Sequence, residues 1–467
     1  MSAVLRIPAG GTSLDMKASA DDPSLIELPV RVNDATIVSN DYNHADSLEV
    51  SLAYADAGID PRFLHAASVQ FYMGQASPNG LWLPTKEKLR FCGVLTRARR
   101  QMSAGGATVN LSFVDYTALF LETKNYPLKN APKFSQTISQ AWATICDNTG
   151  VPLENGEIYS TVSALKKSIR FSKGARDAKL GEAVLPRFAQ LGGPMYAPNS
   201  DSWGVWQQTV QAMGLISYIY LDECIVTTAE DYYTATDTPR LVWGENILEY
   251  EDERNTHFAR KGIRVVSYDP ITNTTLESTY PPDGDTRIKG KKPAVATSPK
   301  AKAPAAAKPP QVVASDRETF QYPSVTSQSR LDMISQRIFE ERSRQEYEGH
   351  VKTCEMEIPT TMQADGARGF DMLNLKAGDT ISIEYDVQNR LALSSFGSKA
   401  ARIAALVERG YSAQIAELMN KNMQQILELP AKQFVKSVTT HFTVDEHSGD
   451  FDVTINFCNR INLDGST

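Results

Sequence analysis

No apolar run in this chain of 467 residues reaches the roughly 18 that a membrane-spanning helix needs. The amino terminus lacks the basic-then-apolar pattern of a secretory leader, so a protein made and kept in a cytoplasm, or packaged from one, is expected. Cysteine is scarce. Cys92, Cys146, Cys224, Cys354 and Cys458 are odd in number, lie far apart and form no CxxC pair, which reads as buried free thiols in a reducing compartment. His44, His65, His257, His350, His441 and His447 include no pair at the i, i+4 helical spacing of an HExxH zinc site, so no metal is expected. No serine sits in a GxSxG elbow. Gly10-Gly11 and Gly105-Gly106 lack the spacings with which backbone amides surround phosphates, and read as turns. Positive charge is not in excess either: a net charge of -7 argues against a general nucleic-acid or membrane-surface binder. These absences leave no catalytic residue, no metal and no cofactor to assign.

What the chain does have is apolar residues at 42% and charged residues at 22%, enough to bury cores over most of its length. Its length suggests about three or four domains. After an amino-terminal arm (1–24), Leu48, Val50, Leu52 and Tyr54 alternate with polar or small residues, as do Val69, Phe71 and Met73. Leu89 to Leu95 then lead through Ser103-Ala104-Gly105-Gly106 into Val109, Leu111 and Phe113, a hairpin pattern. Residues 25–126 therefore read as an antiparallel β module, a small barrel or a strongly curved sheet. The period then changes to 3.6. Ile138, Trp142 and Ile145, with Ser135 as N-cap and Gly150 past the end, predict a helix, and Asp201 to Met213 with Gly214 predict another. Residues 127–238 thus form a mixed α/β middle, in which 165–202 read as a long exposed insertion.

The β signal returns over 239–281. Residues 282–318 are dominated by Pro, Ala, Gly and Lys, too poor in apolar surface to fold alone. A helix carrying Leu331, Ile334 and Ile338 on one side opens the next segment (319–388), which includes the alternating strand Thr380 to Tyr385. Over 389–430, Leu406, Ile415, Leu418, Met419, Met423 and Ile426 lie at helical spacing on a Met-rich stripe, a helical insertion and our candidate for a partner contact. A closing hairpin follows in 431–467, with Val438, Phe442 and Val444 before Asp445 to Gly449 and Val453, Ile455 and Phe457 after it. The fold class is β-rich α+β. The two β modules share an order in which an alternating strand (Leu48 to Tyr54; Ile381 to Tyr385) precedes a glycine-turned hairpin (Val94 to Phe113; Val438 to Phe457), a likeness of pattern rather than of residues.

Two charge features need a reading. The run Glu249-Tyr250-Glu251-Asp252-Glu253-Arg254 could in principle supply a carboxylate pair for glycoside hydrolysis, but reads more simply as a solvated segment at a strand end. The basic residues of 166–179 and 287–308 have no interleaved aromatics for base stacking, which leaves a solvated loop or contact with a polyanion or acidic partner. Trp203 and Trp206, at i and i+3, are expected to anchor a helix to the core.

Several phrases in this order resemble the tail hub, or baseplate hub, family of tailed bacteriophages, which is related to hub parts of contractile injection machines and type VI secretion spikes. They are Ser47-Leu48-Glu49-Val50-Ser51-Leu52, Ile59-Asp60-Pro61-Arg62-Phe63-Leu64, Phe91-Cys92-Gly93-Val94 and Val109 to Thr117. Pro239 to Ile247, Lys261 to Pro270 and Leu373 to Ile383 continue the series over most of the chain. The resemblance implies two related β-barrel tube domains per chain and a homotrimer whose six barrels match a hexameric tail tube. It implies a tail tube protein on one side and a central spike protein on the other, in the virion tail. It leaves room for wedge or sheath-initiating components and for a tape measure protein. The chain departs from a minimal hub in its 389–430 helices and its Pro/Ala/Lys loop, and carries neither a fused lysozyme nor a spike β-helix.

Overall fold

The computed structural model describes residues 2–8, 25–53, 67–74, 85–103, 106–122, 132–150, 156–183, 201–232, 238–243, 245–254, 262–269, 274–281, 317–322, 325, 328–344, 347–360, 369–385, 403–404, 407, 412–414, 416–417, 433–444 and 449–459. The first strands in chain order are β1 (Ser2–Pro8), β2 (Leu25–Arg31), β3 (Asp34–Ser39), β4 (Ser47–Ala53), β5 (Ser68–Tyr72), β6 (Leu89–Ser103) and β7 (Gly106–Asp115). The middle of the chain holds α1 (Thr117–Glu122), α2 (Ile138–Gly150), α3 (Gly156–Lys167), β8 (Ile169–Phe171), α4 (Ser202–Ala212), β9 (Ile216–Tyr220), β10 (Glu223–Thr227) and α5 (Ala229–Tyr232). There follow β11 (Arg240–Trp243), β12 (Glu249–Arg254), β13 (Gly262–Asp269), β14 (Thr274–Tyr280), β15 (Arg317–Gln321) and α6 (Gln328–Arg344). The last are β16 (Tyr347–Thr353), β17 (Glu357–Ile358), β18 (Phe370–Asp371), β19 (Thr380–Tyr385), β20 (Gln433–Val444) and β21 (Gly449–Asn459). The result is a mostly antiparallel β protein with few helices.

One 13-stranded sheet organises the chain, in the order β12-β16-β21-β20-β3-β4-β7-β6-β5-β1-β2, with β19 beside β20 and β11 beside β19. Strict alternation decides its faces. In β4, Leu48, Val50 and Leu52 are buried while Glu49 is exposed; in β7, Val109, Leu111 and Phe113 are buried between partly exposed Asn110 and Ser112. Each half of the sheet has its own apolar core, one around Leu48, Phe71, Phe91 and Phe113 and one around Leu241, Val351, Ile381 and Phe457.

The middle helices pack over a third core, where the Trp142 ring stands 4.9 Å from Trp206 and its Nε1–H donates to the Leu165 carbonyl at 2.9 Å. The expected helices are present as α2 and α4. Asp201 caps α4 by accepting the Gly204 N–H, and Trp203 and Trp206 are buried. Gly214 ends α4 at φ +74, a conformation that glycine alone adopts without strain. The exposed insertion expected over 165–202 is corrected for its described parts, residues 165–183 and 201–202: β8 pairs parallel with β10, and Leu165, Ala175, Ala178, Leu180 and Ser202 are buried. Its lysines and arginines decorate a packed element rather than a loop.

Two arrangements differ from the expectation, a strand within the arm and a separate unit built around the expected helix α6. Part of the amino-terminal arm is strand β1, paired with both β2 and β5. Between β12 and β16, the three-stranded sheet β14-β13-β15 and helix α6 form a unit of their own, with Leu331, Ile334 and Ile338 buried against Ile263 and Val265. The Tyr42 hydroxyl donates to Glu341 of α6, which also pairs with Arg337, and so ties this unit to the β3–β4 turn.

Candidate functional site

Among the described residues, the histidines, the cysteines and the acidic run do not converge on one site. The acidic run is strand β12, and Glu249, Glu251, Asp252 and Glu253 on it are all exposed. His44 faces Asp41 at 2.7 Å, His350 faces Glu251 at 3.8 Å, and His441 lies between Asp34 and Asp452 at 3.5 and 3.3 Å. Among the described residues no group of three or more His, Cys, Asp or Glu could hold a metal ion. None of the five cysteines is in a disulfide; four are buried as expected, but Cys354, just past the end of β16, is exposed. Burial pushes the Cys224 thiol up to about 12, which keeps it inert as a nucleophile. A cleft of about 360 Å³ between α6 and the main sheet is edged by Arg337, Glu341, Glu348 and Lys436, whose charges pair with one another, Arg337 with Glu341 and Lys436 with Glu348. The contact candidates Leu406, Ile415, Leu418, Met419, Met423 and Ile426 lie outside the described residues.

Two carboxyl groups, the buried Asp115 and the half-buried Asp46, stand where β7 ends beside the β3–β4 turn. Asp46 N–H donates to Asp115 Oδ2 at 2.9 Å, and Asp115 N–H donates to the Asp46 carbonyl at 3.0 Å. Burial raises the Asp115 carboxyl to about 6; burial, then the neighbouring Asp115 charge, raises Asp46 well above the ordinary carboxylate range. A carboxyl raised in the folded state favours folding while protonated, so its contribution is complete below about pH 4 and lost as pH rises through about 6. For Asp115 the change is worth about 3 kcal/mol. Asp46→Asn keeps an acceptor for Asn40 N–H and cannot place a negative charge beside Asp115. Thermal melts should show it stabilised at pH 7.5, with a flatter profile between pH 5 and 7.5; a lower melting temperature at pH 7.5 would contradict this account.

The feature that does stand out is a repeated pattern of strands. In the first half, β3 pairs β4, β4 pairs β7, β7 pairs β6, and β5 lies along the start of β6. In the second, β12 pairs β16, β16 pairs β21, β21 pairs β20, and β19 lies along the start of β20. The details repeat too. Leu95 and Arg97 flank an irregularity opposite Phe113 and Ser112, as Val435 and Ser437 do opposite Phe457 and Asn456. Leu95 N–H donates to the Ala67 carbonyl and Val435 N–H to that of Asp379, just before β5 and β19 respectively. The two hairpins therefore correspond as the sequence pattern suggested. The strand at 380–385 corresponds to β5, however, and β16 takes the place of β4. The halves also differ where β1 runs antiparallel to β5 and β11 parallel to β19.

The halves are joined edge to edge. β20 pairs β3 from Val438–Ser39 to Thr443–Asp34, and the rings of Phe442 and Phe451 pack against the first-half core across this seam. Lys352, Asp452, His441 and Asp34 form a chain of ion-pair contacts along the polar face. The polar faces of the two halves are therefore continuous, lined by Glu49, Arg97 and Arg99 on one side of the seam and by His350, Lys352 and His441 on the other.

No protein-family model matches this sequence, and no curated protein matches it. Its fold does match solved structures. A tail protein from Neisseria meningitidis MC58 aligns over 98% of this chain and 96% of its own at TM-score 0.52 and 12% identity. The 43 kDa tail protein of prophage MuSo2 from Shewanella oneidensis aligns over 100% of both chains at TM-score 0.52 and 10% identity. Among the described residues no helix is long and apolar enough to cross a membrane.

Proposed function

We propose that this chain, which carries the fold of phage tail proteins, is a non-catalytic tail or baseplate hub. Three copies close a ring in which each sheet half is the wall of one barrel-like tube domain. The ring then presents six similar positions to a hexameric tail tube and three identical ones to a trimeric central spike, and nucleates baseplate assembly between them.

The observation that carries this reading is the repeated strand pattern fused through β3 and β20 within one chain. A chain holding two copies of one sheet, joined edge to edge, already contains the contact that a ring must repeat. Six-fold and three-fold partners can share one hub only if each subunit supplies two similar but unequal units. The carboxylates of β12 are exposed, which gives no support to a tail-associated hydrolase.

Native mass spectrometry of the purified chain tests the proposal. A mass of three chains is expected, and a monomer or dimer across the accessible concentration range would overturn it.

A further inference from the structure

The seam between the halves specifies a second one. β20 and β6 hold the same place in the repeat, as do β3 and β12. The later half of β20, Val438 to Thr443, is covered by β3. The matching half of β6, Ala98 to Ser103, pairs with β7 on one side and bears no strand on its other side among the described residues. Likewise β12 pairs with β16 and has an outer edge that no described strand covers. Among the described residues, each chain thus carries both members of the seam a second time, at opposite ends of the sheet and not paired with each other.

We propose that β6 of one copy pairs antiparallel with β12 of the next, which deepens the ring reading above and rests on it. Carrying the β20–β3 register over through the matching ladders sets Ala98 opposite Arg254, Arg99 opposite Glu253 and Arg100 opposite Asp252. Gln101 then faces Glu251, Met102 faces Tyr250 and Ser103 faces Glu249.

The backbone alone fixes this register, and the side chains agree with it. Arg97, Arg99 and Arg100 make this part of β6 basic, and Glu249, Glu251, Asp252 and Glu253 make β12 acidic. Two arginines meet two carboxylates directly, and cross-strand pairs of opposite charge stabilise a ladder where like charges destabilise it. Sliding the strands two residues the other way would bring Arg100 against Arg254. Met102, 69% exposed, matches Phe442, which packs across the internal seam; here it meets Tyr250, a sulfur-to-ring contact.

Charged residues on an exposed edge commonly guard against indiscriminate pairing. Here each edge carries mainly one sign and the two signs are opposite, so β6 repels β6, β12 repels β12, and only a head-to-tail contact is favoured. Repeated head-to-tail contacts close a ring when the rotation at each contact returns to the starting copy, and three such contacts are what the hub reading requires.

The test uses full-length chain with Arg99→Glu, Glu253→Lys and the two combined, followed by sedimentation velocity and by thermal melting of each sample. Each single reversal is expected to raise the concentration for half-assembly at least tenfold with unchanged melting of the unassembled chain, and the double to restore assembly. A wild-type trimer that both single reversals leave intact overturns the β6–β12 seam while leaving the hub reading in place. A wild-type chain that never trimerises overturns the hub reading itself. As a second measure, Gln101→Cys with Glu251→Cys should give disulfide-linked dimers and trimers on mild oxidation; linkage absent from an assembled trimer would overturn the register.

Discussion

Gly349→Ala is expected to destabilise the second half by about 3 kcal/mol and to abolish assembly. A Cβ on Gly349 would stand 2.3 Å from the Glu251 carbonyl oxygen and 2.6 Å from the Phe457 ring. That ring leans over the strand where the side chain is missing and stacks on Tyr250, with centroids 5.9 Å apart. Phenylalanine covering a glycine in a strand restores the packing that glycine forfeits. Added bulk must therefore push β12 away from β16 or displace Phe457. Because β16 is the strand that holds β12 among the described residues, the loss falls on the outer edge that we assign to the next subunit. Thermal melting and native mass spectrometry of the variant check both parts. A trimer of unchanged stability would show that β12 does not depend on this close approach.

Trp142→Ala is expected to cost about 3–5 kcal/mol, because it empties the centre of the helical core. The Trp142 side chain is fully buried, with the Phe120 ring at 5.0 Å and the Trp206 ring at 4.9 Å. Its Nε1–H also donates to the Leu165 carbonyl at the end of α3, which still accepts from the Ser168 N–H and hydroxyl at 3.2 Å after truncation, so the lost hydrogen bond adds little. The larger part of the loss is cavity and contact. Trp142→Phe, which keeps an aromatic ring and loses the donor, should cost clearly less. Urea unfolding followed by circular dichroism measures both; a loss under about 1 kcal/mol for the alanine variant would contradict the packing described.

The sequence made some of this legible and hid the rest for physical reasons. The hairpins of β6–β7 and β20–β21, and helices α2, α4 and α6, could be read because one face of each is buried, which writes its period into the apolar residues. β12 could not. Its side chains are charged on both faces, so the period-2 signal is absent, and the run reads as a solvated segment although its backbone is a strand. β8 is only three residues long, too short for any period to show, and a cluster of lysines and arginines around it suggested a loop. The repeat itself was visible as a pattern of hairpins, yet the matching strands were misassigned, because the unit between β12 and β16 separates elements that are close neighbours in the first half.

The candidate surface was less legible than the fold. It is an edge, and an edge is defined by which strands are paired and in what register. Acidic Glu249 to Glu253 and basic Arg97 to Arg100 are far apart in the chain, and nothing in their local sequence relates them. Only the β3–β20 seam does so, by showing what the same two positions do inside one chain.

Class averages of the assembled protein by electron microscopy, viewed along the ring axis, test the central claim most directly. The account predicts six lobes around an opening, alternating in outline so that the symmetry is three-fold, with two lobes per chain. A two-fold particle, or a ring with one lobe per chain, would contradict it.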